Sequence, residues 1–100
     1  MSRTKQPRGL RLSGELDVSN APTLARALAT ETSRGGDVTV DLAGVAFLDS
    51  TGLEALIRGA RDLQGRGRLI LVSPQQSVRR IFEIVLLDQR SNVEIRDGLS

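Results

Sequence analysis

The chain has 100 residues, a length that suits one domain around one core, and its 39% hydrophobic and 26% charged residues are ordinary for a soluble globular protein. The 14 basic and 12 acidic residues leave a net charge of +2, and the pI of about 10.4 reflects the absence of His, Cys and Tyr, which leaves almost nothing to titrate between the carboxylates and the basic side chains. Without Cys or His there is no disulfide, thiol nucleophile, imidazole base or ordinary zinc site, and two Phe with no Tyr or Trp give bases nothing to stack on, so neither an enzyme, nor a metal or cofactor protein, nor a nucleic-acid binder is expected.

Residues 1–7 read as a flexible tail and residues 8–100 as one domain. The tail is basic, but no apolar run or small-residue cleavage site follows it. No stretch approaches the ~18 uninterrupted apolar residues of a membrane span. A cytoplasmic protein with no membrane partner is the expectation. Gly9 to Gly14 alternates apolar and polar residues, the period of a half-buried strand, and Gly14 is expected to break it. Leu16 and Val18 continue the apolar spacing around Asp17. Ser19 and Asn20 are both good N-caps for a helix with Pro22 in its first turn and Leu24, Ala27 and Leu28 on its buried face. Gly35-Gly36 should end that helix.

Asp37-Val38-Thr39-Val40-Asp41-Leu42 is the clearest strand, β-branched and alternating. Val45, Phe47 and Leu48 lead from it to Asp49-Ser50-Thr51-Gly52-Leu53. A helix is expected from about Thr51 to Leu63, with Leu53, Leu56, Ile57 and Ala60 as its apolar stripe. Leu69-Ile70-Leu71-Val72 is wholly apolar, as in a strand covered on both faces. Val78, Ile81, Phe82, Val85 and Leu86 outline a third helix, and Val93-Glu94-Ile95 a last short strand. This alternation predicts an α/β fold with helices packed on a small, largely parallel sheet.

Asp49-Ser50-Thr51-Gly52-Leu53 stands where a strand region gives way to a helix. Two readings are open on these residues alone. Asp, Ser and Thr cap helices everywhere, so the run can be an N-cap and no more. Alternatively it is a working loop, because the surface beyond the carboxyl ends of strands is where open α/β sheets bind their ligands. A helix start also offers free N–H groups and partial positive charge, which suit a phosphoryl group placed on Ser50. Glu54 supports the first turn. Arg58, Arg61, Arg66 and Arg68 suit the end of the same helix as a solvated face, with contact to an acidic partner as the alternative. No Gly-rich Lys-Ser/Thr phosphate loop is present, which argues against nucleotide hydrolysis.

Three blocks give the chain a resemblance to the STAS domain, most of all to the small bacterial anti-sigma factor antagonists. They are Gly14-Glu15-Leu16-Asp17-Val18 with Ala21-Pro22, then Val38 to Leu42 followed by Val45 to Leu53, then Val78 to Ile84 with Leu87-Asp88. The likeness covers roughly residues 8–95. It implies a STAS-type fold, a small mixed and largely parallel sheet with helices packed on it. It also implies partner switching. The unphosphorylated antagonist binds an anti-sigma factor that is itself a serine kinase, and this frees a sigma factor. The kinase then modifies the Ser after the motif Asp, and a serine phosphatase reverses the change. That serine is Ser50, with Thr51 second. Asp17, Asp49, Ser50, Thr51, Gly52 and Leu53 are the implied partner-facing residues, although Asp17 also reads simply as an acid before a helix. A STAS scaffold subunit of a stressosome or lipid-transport complex is the rival. Two departures stand out. Only about eight residues precede the first clear strand, so the family's edge strand is shortened or missing. Leu86 replaces the Gly that usually ends the last helix, so either the helix runs on or Leu86 faces a partner.

Overall fold

A computed structural model describes residues 2–4 and 9–97. The described elements are β1 (Ser2–Thr4), β2 (Gly9–Leu16), α1 (Ala21–Thr32), β3 (Val38–Leu48), α2 (Ser50–Leu63), β4 (Leu69–Val72), α3 (Gln76–Ile84), a 3₁₀ turn (Leu87–Gln89) and β5 (Val93–Arg96). They form one five-stranded sheet in sequence order, antiparallel between β1 and β2 and parallel from β2 to β5. The expected mixed, largely parallel sheet is therefore present.

Each parallel connection steps one strand in the same direction. Right-handed crossovers in that order set all three helices on one face. Burial agrees. Leu10, Leu12, Val40, Leu42, Leu69 and Leu71 join Leu24, Leu28, Leu56, Leu63, Val78 and Phe82 in a single cluster. Phe82 and nine of these leucines are each at most 2% exposed, and truncating such a side chain to Ala costs about 2–5 kcal/mol. The alternate residues point the other way and form ion pairs, Arg11 with Asp41 at 3.4 Å and Arg68 with both Asp37 and Glu94. Ile70 and Val72 also point that way and are still buried. They lie between Thr39 and Asp41 of β3 and Glu94 and Arg96 of β5, whose side chains flank them. The wholly apolar β4 is thus explained without a helix on its second face.

Several expectations need correction. Ser2–Thr4 is paired, Ser2 opposite Arg11 and Thr4 opposite Gly9, so this part of the supposed tail is a three-residue edge strand. The other residues of the 1–7 tail lie outside the described residues. Gly14 does not end β2. It takes φ +83° between two register shifts, the bulged strand continues to Leu16, and positive φ is what Gly supplies there. β3 runs on through Phe47 to Leu48, so the leading segment is itself strand. Of the four arginines, Arg66 donates to the Thr32 carbonyl at the end of α1 and Arg68 ties the starts of β3, β4 and β5 together. These two are structural staples.

The third helix neither runs on nor includes Leu86. It ends at Ile84, and Leu86 adopts the left-handed conformation (φ 55°, ψ 41°) that a Gly would take more cheaply. The turn sends Leu87 into the core and leaves Ile84, Val85 and Leu86 exposed. Replacing the exposed Leu86 by Gly removes the left-handed penalty of about 1–2 kcal/mol at a backbone-entropy cost of about 0.5–1 kcal/mol. Leu86→Gly should therefore raise stability by several tenths to about 1 kcal/mol in urea denaturation, whereas Leu86→Ala should give no such gain.

Candidate functional site

β2 and β3 end side by side, with Leu16 opposite Leu48, so their following loops leave the sheet together. The two loops are bonded. The Asp49 N–H donates to the Leu16 carbonyl at 3.0 Å. Gly52 is buried where α2 crosses the end of β2. A methyl group there would stand 2.7 Å from the Leu16 carbonyl oxygen and 2.9 Å from Leu48 Cδ1. Only a residue without Cβ allows this approach, which is why Gly follows the two hydroxyl residues.

Asp49 is the N-cap of α2, with extended backbone. Its Oδ1 accepts from the Thr51 N–H at 2.9 Å, the Gly52 N–H at 3.1 Å and the Thr51 hydroxyl at 2.6 Å. The Thr51 hydroxyl first, and then the Gly52 N–H, hold the Asp49 carboxyl below its usual pKa. Ser50 is exposed, and its hydroxyl has no hydrogen-bond partner among the described residues. The N–H groups expected to receive a phosphoryl group are therefore largely taken: Asp49 occupies those of Thr51 and Gly52.

The β2–α1 loop is held by its own polar residues. The Asp17 carboxylate accepts from the Ser19 N–H and hydroxyl, and the Asp17 carbonyl accepts from the N–H groups of Asn20 and Ala21. Asn20 is the N-cap of α1 by position, but its side chain reaches back to the Asp17 N–H and the Glu15 carbonyl instead of to the helix. Asp17 thus lies in the loop bonded to the Ser50 loop, with its carboxylate spent on Ser19. Of the implied partner-facing residues, Gly52 is buried, and Leu53, a member of the expected apolar stripe, is partly buried and packs against the core. Their part is to position α2.

Sequence reading missed two exposed apolar residues. Val18 is 71% and Phe47 51% exposed. Val18 looked like a continuation of strand spacing and Phe47 like part of the segment leading to the Asp49 motif. Beside Val18, a groove of about 330 Å³ runs between α1 and α2, lined by Ala21, Pro22, Ala25, Thr51, Ala55 and the pair Glu54–Arg58. Its sequence signal is the spacing of four between small residues, Ala21 and Ala25 on α1 and Thr51 and Ala55 on α2. Among the described residues no group of three acidic, His or Cys side chains could hold a metal ion, and no helix is long and apolar enough to cross a membrane.

Two outcomes follow from this geometry. Gly52→Ala drives a methyl into backbone and should cost about 1–3 kcal/mol by urea denaturation. Asp49 titrates below its unfolded value, so its carboxylate stabilises the fold at neutral pH, and that contribution fades as pH falls through the lowered folded pKa. The Tm difference between the protein and Asp49→Asn should therefore shrink from neutral pH toward about pH 3, as read by thermal melts across that range.

Comparison with known proteins agrees with this architecture. Residues 1–97 match the family profile described as "Mlab, STAS domain". An anti-sigma-B factor antagonist of Staphylococcus epidermidis is 33% identical over 86 residues, covering 84% of this chain and 80% of that protein. The crystal structure of a putative anti-sigma factor antagonist from Thermotoga maritima superposes with a TM-score of 0.81 at 26% identity, covering 92% of this chain and 80% of that one. The anti-sigma factor antagonist SpoIIAA in its unphosphorylated form shares the fold, with a TM-score of 0.70 at 23% identity and coverage of 90% and 79%. The chain belongs to the STAS domain family.

Proposed function

We propose that this protein is an anti-sigma factor antagonist. With Ser50 bare, it binds an anti-sigma factor that is also a serine kinase and so releases a sigma factor; phosphorylation of Ser50 ends the binding, and a serine phosphatase restores it. On this reading the chain is a kinase substrate in the cytoplasm and not an enzyme. The observation that carries the reading is the state of Ser50. It stands exposed at the start of α2 with a free hydroxyl, next in the chain to Thr51, which lines the α1–α2 groove together with the exposed Val18. The names of the relatives support the same role.

The switch acts through the surface. A phosphate adds about −1.5 to −2 charges. Asp49 already fills the Thr51 and Gly52 N–H groups, so the new charge is added to that of Asp49 and is not neutralised by the helix start. A partner that dries Val18 and the groove would have to desolvate both anions. Ser50 bonds to no described side chain, so the fold itself need not change.

The match to a STAS domain profile is equally met by a second reading, a constitutive scaffold subunit of the stressosome or lipid-transport kind, which needs the fold but no change at Ser50. The two readings diverge at Ser50. In pull-downs from native lysate, Ser50→Asp should lose at least tenfold of a protein kinase partner that the unmodified form retains, and that partner with ATP should add one phosphate, at Ser50. Equal capture by both forms, with Ser50 never modified, would leave the scaffold reading standing and sink the switch.

A further inference from the structure

Two hydroxyls stand next to each other at the start of α2, and a step of one residue moves them by only ~1.5 Å along the helix axis. We infer that Asp49 is the positioning residue that confines phosphoryl acceptance to Ser50, by holding the Thr51 hydroxyl and its carboxylate in contact. The inference rests on the phosphorylation reading above and names what decides the acceptor.

The Thr51 hydroxyl donates to Asp49 Oδ1 at 2.6 Å, and Thr51 is half-buried against the groove. Asp49 cannot swing aside cheaply, because the same oxygen accepts the Thr51 and Gly52 N–H groups. Phosphoryl transfer forms a bond from the hydroxyl oxygen to the γ-phosphorus of a nucleoside triphosphate and breaks the bond to the leaving diphosphate, with the hydroxyl proton passing to a base of the kinase. At Thr51 this would break the bond to Asp49 and leave a dianionic ester against a carboxylate. Ser50 incurs neither cost: its hydroxyl is exposed and bonds to no described residue. The opposite role, Asp49 as a base that activates Thr51, conflicts with a carboxyl that holds its proton less firmly than usual.

The chain has no His, Cys or Tyr and a single Lys, so a hydroxyl-reactive probe meets few competitors. Carbethoxylation by diethyl pyrocarbonate, mapped by tandem mass spectrometry, should mark Ser50 at least tenfold more than Thr51. In Asp49→Gly, which keeps a tolerated N-cap, Thr51 labelling should rise about tenfold. Asp49→Asn also caps but holds the hydroxyl without charge, so it should show a smaller rise; it decides the matter if circular dichroism shows Asp49→Gly to be unfolded. Thr51 labelling equal to that of Ser50 in the unchanged protein overturns the inference, as does labelling that stays flat or falls in the folded variants. With the captured kinase, Ser50→Ala should accept no phosphate and Ser50→Ala with Asp49→Asn should accept it at Thr51. A captured partner that phosphorylates no form sinks the switch reading and leaves the labelling result intact, so the two failures are distinguishable.

Discussion

Asp49 joins the two halves of the site. Through one carboxylate oxygen it caps α2 and holds the Thr51 hydroxyl. The Asp49 N–H meanwhile bonds back to the end of β2. The close approach that makes this possible depends on Gly52, which lets α2 rest on the Leu16 carbonyl. These short-range contacts fix where Ser50 stands relative to Val18 and the groove. The parallel sheet behind them has a simpler duty, to bring Leu16 and Leu48 level so that both loops emerge at one place.

The capping and functional readings of Asp49 to Leu53 prove compatible. Asp49 is an N-cap in full, which accounts for its hydrogen bonds and its lowered pKa. The capping leaves Ser50 unused. A residue that spends its side chain on the backbone has little left for a partner, and that is the position of Asp49, of Asp17 with Ser19 and of Asn20 with Glu15. Exposed Ser50, Val18 and Phe47 are side chains at this edge that the fold does not consume.

Much of this was legible in the residues. The β-branched run of Val38 to Leu42, the stripe of α2 and the alternation of strands and helices each carry a period that burial enforces. The motif could be located because its Asp, hydroxyls and Gly each answer a backbone demand. What was not legible depended on tertiary partners. Gly14 resembles a strand breaker until β3 is present to tolerate a bulge. Phe47 and Val18 are apolar, and apolarity alone does not say which side of a strand end faces water. Ser2–Thr4 is too short and polar to announce a strand, and its pairing with β2 is what defines it.

The brevity of β1 has a consequence for the sheet's boundary. β1 covers β2 only from Gly9 to Arg11, so from Leu12 to Leu16 no described strand pairs with the outer edge. An open row of backbone donors and acceptors invites another chain to add itself. β2 is irregular over that stretch, with register shifts between Arg11 and Ser13 and again between Gly14 and Glu15. The bend and extra twist that such irregularities impose spoil the flat template that an incoming strand needs. The same bulged Gly14 that delays the end of β2 therefore guards a protein with a shortened edge strand against sheet-to-sheet aggregation.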